Sequence, residues 1–149
     1  MDLLNKNKEK PRILLVEDNP GDIRLTQEAL KESQLDIHLD VVSDGEQAID
    51  FLNKKNKYVD AVRPHIILLD LNLPKKNGIE VLKEIKVQDG LKAIPVIVLT
   101  TSDADHDISK AYSLHANCYI LKPVDFDDFA KVIQLIELYW FNTVQLAHA

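Results

Sequence analysis

Five short aliphatic runs alternate with five segments of helical spacing, and this order restricts the folds open to the chain more than any other feature. The runs are RILLVE (12–17), IHLDVV (37–42), HIILLD (65–70), PVIVLT (95–100) and NCYILK (117–122). Short apolar runs with β-branched enrichment are read as strands. Between them, Ile23, Thr26 and Leu30, then Ala48, Ile49 and Leu52, then Ile79, Leu82 and Ile85 recur at helical spacing. Ile108, Ala111 and Tyr112 mark the fourth helix, and Phe126, Phe129, Val132, Ile133 and Ile136 the fifth. A strict βα order repeated five times predicts an α/β fold, a parallel sheet with helices on both faces. The first, third and fourth runs are almost continuously aliphatic, as in strands buried on both sides, whereas the second alternates and suits an edge. One domain is expected over 11–141, preceded by a flexible, solvated N-terminal arm at 1–10 and followed by a tail at 142–149.

The chain has 149 residues, 46% hydrophobic and 28% charged, which suits one domain with a genuine core. A single cysteine, Cys118, excludes an intramolecular disulfide framework and reads as a small buried hydrophobe. With no secretory h-region and no apolar run of membrane-spanning length, a reduced cytoplasmic setting without membrane contact is expected. The net charge of -6 argues against a general nucleic-acid binder. His38, His65, His106, His115 and His148 lack metal-ligand spacing, and no P-loop motif is present.

HIILLD raises a sharper question, because it drives an aliphatic strand into a carboxylate, where burying charge is costly. In open α/β sheets ligands sit beyond the carboxyl ends of the strands. The strands deliver Glu17 and Asp18, then Asp70 followed by Asn72, then Thr100 with Thr101 and Ser102, then Lys122 before Pro123. Taken singly, Asp18 could be a helix N-cap ahead of Pro20, and Asp70 could start a turn. Together they crowd carboxylates whose repulsion a shared cation would relieve, and hard oxygen ligands suit Mg²⁺ held by Asp18 and Asp70. Asp70 could then act as a nucleophile toward a phosphoryl group, with Lys122 and the metal neutralising the transferring oxygens and Thr100 donating a hydrogen bond.

The stretches LLVEDNPGD, IILLDLNLPKKNG, IPVIVLTTS and YILKP resemble the receiver domain of two-component response regulators over nearly the whole chain. That resemblance implies a flavodoxin-like doubly wound five-stranded sheet in the order 2-1-3-4-5. It implies Asp70 as phosphoacceptor, Asp18 as a direct Mg²⁺ ligand, Glu17 as a ligand through water and the Asn72 backbone carbonyl as a further ligand. Thr100 resembles the switch hydroxyl, Lys122 the lysine that pairs with the phosphoryl group, and Tyr119 the switch aromatic. The Lys122–Pro123 bond is similar to the family's cis peptide. Thr101 departs from the alanine or glycine common at its position, and its bulk would narrow access to Asp70 and alter the speed of phosphorylation and hydrolysis.

Only about eight residues follow the fifth helix in the sequence, so a stand-alone receiver is expected, signalling to a downstream protein through surface contacts. The segment QLIELYWF (134–141) carries more apolar side chains than one buried stripe needs. Leu138, Tyr139, Trp140 and Phe141 either fold against their own domain with the tail NTVQLAHA or form a candidate interface for a homodimer or a partner. The long last helix, with LLDLNLPKKNG and HANCYILKP, resembles the small response regulators of phytochrome-type histidine kinases, which implies a sensor kinase as partner. Two rival functions are a pseudo-receiver that has lost phosphorylation, and a phosphatase of the haloacid dehalogenase type. The second is disfavoured because Asn72 stands where that chemistry needs an acid.

Overall fold

A computed structural model describes residues 10–147; the expected arm up to residue 9 and His148 lie outside the described residues. Strands β1 (Arg12–Val16), β2 (His38–Val42), β3 (Ile66–Leu69), β4 (Val96–Thr100) and β5 (Cys118–Leu121) form one sheet in the order β2-β1-β3-β4-β5. Every pairing is parallel. The helices are α1 (Pro20–Lys31), α2 (Gly45–Asn53), α3 (Gly78–Val87), α4 (Asp105–Ser113) and α5 (Phe126–Glu137).

Because successive strand residues point to opposite faces, the sheet feeds two cores. Leu14, Val16, Ile67, Leu69, Val96 and Val98 face α2, α3 and α4. Ile13, Leu15, Ile66, Leu68, Ile97 and Leu99 face α1 and α5. β1, β3 and β4 are buried almost throughout, while the edge strands β2 and β5 are only half-buried. A fully buried Leu or Ile side chain contributes about 1.5–3 kcal/mol relative to exposure, so the central strands make a rigid support.

Four helices begin on a side chain that accepts a backbone N–H: Asn19 for α1, Asp44 for α2, Asn77 for α3 and Asp125 for α5. Asn19, not Asp18, thus caps the helix, and Pro20 follows at the first helical position. α4 is the exception, starting after Ala104 without a side-chain cap and burying Ala111 alone. Two glycines allow close approaches beneath the carboxyl edge. A Cβ on Gly45 would stand 1.9 Å from the Lys76 carbonyl oxygen, and one on Gly78 would stand 2.4 Å from that of Asp70.

Several expectations need correction. The Lys122–Pro123 peptide is trans, as no cis bond occurs among the described residues; trans is the lower-energy isomer of an X–Pro bond by roughly 0.5–1 kcal/mol. Tyr112 and Phe126, expected on buried helix faces, are 48% and 58% exposed. Tyr112 leans over the edge of β5, and Phe126 opens α5 before that helix reaches the core. The last helix does not run on as regular α-helix. After Glu137 it widens into a π-helix over Leu138–Thr143.

Candidate functional site

Three of the candidate residues lie one step beyond the regular strands, where the backbone ladder continues. The Glu17 N–H donates to the Val42 carbonyl at 3.0 Å, the Asp70 N–H to that of Val16 at 3.0 Å, and the Lys122 N–H to that of Thr100 at 2.8 Å. This continued register brings Glu17, Asp70 and Lys122 to the same carboxyl edge. Asp18 is exposed at its rim, whereas Glu17 and Asp70 are buried at 2% and 5% exposure.

Each buried oxygen has a partner. Asp70 Oδ1 accepts the Thr100 hydroxyl at 2.7 Å and the Asn72 N–H at 3.3 Å, while Oδ2 lies 3.1 Å from the Lys122 ammonium. Glu17 Oε1 accepts the Asn19 N–H at 3.0 Å, and its Oε2 accepts from Lys122 Nζ at 2.6 Å. The third contact of Lys122 is Asp22 Oδ2 at 2.8 Å. Those three bonds use every proton of the ammonium, whose side chain is only 6% exposed.

The site is electrostatically tight. Burial drives the Glu17 carboxyl up to about 7 despite its hydrogen bond to Lys122, and the Asp70 charge pushes the same way. Burial alone would lower the Lys122 pKa, but the bonds it donates to Asp22 and Glu17 and the charges of Asp70 and Glu17 raise it above the ordinary lysine value. Carboxylate oxygens of Glu17, Asp18 and Asp70 lie within 4.8 Å of one another, the one such cluster of possible metal ligands among the described residues. An all-oxygen, carboxylate-rich donor set with an exposed rim fits Mg²⁺, which keeps waters and takes few protein ligands.

Thr100 and Tyr119 are linked through the β4–α4 loop. Thr100 is fully buried. The Tyr119 hydroxyl donates to the Ser102 carbonyl at 2.9 Å, and the Tyr119 N–H donates to the Tyr112 hydroxyl at 3.1 Å. Asn72 and Thr101 are both exposed at the mouth of the site. Cys118 packs half-buried against the α1/α5 core, and burial pushes its thiol pKa up, away from reactivity. The four aromatic-segment residues divide. Trp140 and Phe141 pack with Leu146 against the α1/α5 core, whereas Leu138 and Tyr139 are 54% and 53% exposed, beside Leu135 at 63%.

Asp22 was not singled out by the sequence argument. Counting from Pro20 as the first helical residue puts Asp22 at the third position, where an acid often reaches back to the N-cap N–H. Glu17 already holds that N–H, so the Asp22 carboxylate is left for Lys122.

A parallel 2-1-3-4-5 sheet with acids, a hydroxyl and a lysine converging at its carboxyl edge defines a receiver. Residues 13–134 match the response regulator receiver domain, and the chain belongs to that family, one of signalling receivers rather than enzymes. It is 50% identical over 137 residues to the response regulator Rcp1 of Synechocystis sp., spanning 92% of this chain and 93% of that one. It superposes on the crystal structure of the phosphorylated cyanobacterial phytochrome response regulator RcpA with a TM-score of 0.92 at 46% identity, covering 94% of this chain and 100% of that chain. The Mn²⁺-bound form of Rcp1 matches with a TM-score of 0.89 at 49% identity, over 93% and 99% of the two chains. Receiver domains bind Mg²⁺ at such an acidic pocket, and the oxygen cluster here fits that ion. The family match displaces the phosphatase alternative. No helix among the described residues is long and apolar enough to cross a membrane.

Proposed function

We propose that Asp70 accepts a phosphoryl group from the phosphohistidine of a sensor histidine kinase of the phytochrome type, in the cytoplasm, and that the receiver promotes both this transfer and the later hydrolysis. In the transfer, an Asp70 oxygen forms a bond to phosphorus as the phosphorus–nitrogen bond breaks and the imidazole keeps the bonding pair. Asp18, Asp70 and the Asn72 carbonyl would hold Mg²⁺, with Glu17 reaching it through water; the ion supplies charge neutralisation on the transferring oxygens. Lys122 pairs with one phosphoryl oxygen and Thr100 donates to another. The carrying observation is that Thr100 and Lys122 already grip opposite oxygens of Asp70, at 2.7 and 3.1 Å.

Once phosphorylated, Asp70 draws Thr100 toward the phosphoryl group and Tyr119 away from the Ser102 carbonyl, shifting the face of α4, β5 and α5 between two shapes. Output passes to a second copy through Leu135, Leu138 and Tyr139, the exposed part of the last helix, and to a downstream protein. Incubation with acetyl phosphate, with and without Mg²⁺, followed by intact mass, tests the chemistry. A single metal-dependent adduct, absent in Asp70→Asn, is expected; no adduct on the wild type would leave a pseudo-receiver. Sedimentation of the wild type and of Leu138→Glu/Tyr139→Glu tests the dimer, which the double variant should dissociate.

A further inference from the structure

The Lys122 ammonium has three carboxylate partners, and they are not equivalent. Glu17 and Asp70 also belong to the oxygen cluster with Asp18 that fits a divalent cation, so each must redistribute its lone pairs when the site is loaded. Asp22 stands outside that cluster. Its backbone is fixed on both sides: the N–H donates to Asn19 Oδ1 at 3.0 Å, and the carbonyl accepts the Thr26 hydroxyl at 2.9 Å. Thr26 is itself buried, at 1% exposure. The carboxylate is therefore mounted on a rigid first turn of α1 and directed at a lysine one hundred residues away on the opposite side of the site.

We propose that Asp22 is a positioning residue, a fixed tether that keeps the Lys122 ammonium oriented while Glu17 and Asp70 exchange partners. This rests on the phosphoryl-acceptor reading of Asp70. Without the tether, Lys122 keeps only the two carboxylates that the reaction needs, and it competes with the metal for Glu17 and with the incoming phosphorus for Asp70. Asp22 touches neither the reacting atoms nor the cation cluster and acts through Lys122.

The test is a double-variant cycle on phosphorylation by acetyl phosphate at saturating Mg²⁺, followed by intact mass from minutes to days. Asp22→Asn should slow adduct formation by roughly tenfold, as expected for one lost charge-assisted hydrogen bond discounted for the partial exposure of Asp22. The loss should appear in the rate at saturating donor rather than in the donor concentration needed. Asp22→Glu should recover part of it. In a Lys122→Ala background, Asp22→Asn should have no further effect. Equal fold-losses in the two backgrounds, or an Asp22→Asn rate equal to the wild type, would overturn the tether while leaving the acceptor role of Asp70 intact. A wild type that forms no adduct overturns the acceptor role itself, and is seen before any variant is compared.

Discussion

The two loops that flank the strand bearing Asp70 are held very differently. On the β1 side, Glu17 takes the Asn19 N–H, Asn19 takes that of Asp22, Thr26 bonds the Asp22 carbonyl, and α1 lays Ala29 and Leu30 into the core shared with α5. On the β4 side, α4 starts without a side-chain cap, buries one alanine, and ends at Ser113 with Leu114 as its C-cap before His115, whose φ of 74° is a left-handed conformation that a β-carbon disfavours. Ser102 and Tyr119 bridge this side, the Ser102 hydroxyl donating to Asp107 Oδ2 and the Ser102 carbonyl accepting the Tyr119 hydroxyl. The contrast teaches a division of labour: the metal and lysine geometry is built on the part that resists opening, and the responsive hydroxyl and aromatic on the part with the least local stability.

The largest loss is expected between the two flanks, where the end of the Asp70 strand meets the first residue of α3, Gly78. Gly78→Ala would drive a Cβ to 2.4 Å from the Asp70 carbonyl oxygen and 2.5 Å from Leu71 Cα, both backbone atoms that cannot swing aside. Urea unfolding should register a loss of about 3 kcal/mol or more, at the upper end for overpacking. Ala111→Gly, in the middle of α4, should cost less, since only a methyl group leaves the core and the helix interior loses roughly 1 kcal/mol of propensity. Comparable losses at the two positions would mean that α4 is packed as tightly as the strand end that carries Asp70, against the low stability assigned to the β4 side.

A pH series comes next in size. The Glu17 carboxyl sits at about 7 in the folded chain against an ordinary 4.5, chiefly because it is buried. Between those values the folded protein holds a proton that the unfolded chain has released, so metal-free stability falls as pH rises through the window and levels off above it. The contribution is on the order of 1–3 kcal/mol. The raised Lys122 pKa acts only above the ordinary lysine value, outside this range. Urea midpoints of the wild type relative to Glu17→Gln should therefore decline from pH 5 to pH 7.5 without metal. Mg²⁺ favours the charged carboxylate and should flatten the decline; a wild type that tracks Glu17→Gln at every pH would remove the strain assigned to this residue.

Much of this was legible in the sequence, because βα alternation is a local pattern and aliphatic runs mark buried strands wherever they fall. The runs ending at Glu17 and Asp70 overshoot the regular strands by one residue for a physical reason: the backbone bonds of those two residues continue the ladder. Asp22 was hidden because its partner is one hundred positions away and only the sheet order brings α1 and β5 to one edge. Tyr112 follows helical spacing, but spacing cannot say whether a helix overhangs the sheet. The division of Leu138 and Tyr139 from Trp140 and Phe141 depends on a π-helix, whose wider turn rotates side chains off the 3.6-residue period assumed for the segment.

The smallest effects sharpen the comparison most directly, since they exchange the caps of the two flanks. Asn19→Ala removes the side chain that holds the Asp22 N–H and should cost about 1 kcal/mol, with faster amide exchange confined to the first turn of α1. Ala104→Ser offers α4 the N-cap it lacks, its hydroxyl oxygen accepting from the His106 or Asp107 N–H, while the Ile108 N–H already donates to the residue 104 carbonyl. Capping stabilises a helix by up to about 1 kcal/mol, so amide exchange in α4 should slow by roughly fivefold while α1 stays unchanged. If α4 is the element whose shape changes with Asp70, a firmer α4 also resists that change. The same variant should then keep its acetyl-phosphate adduct rate and lose part of the spectral shift of Tyr119 on phosphorylation, a pair of readouts that a simple gain in global stability would not separate. Wild-type α4 amides exchanging as slowly as those of α1 would mean that the two flanks are equally held and that the missing cap carries no weight.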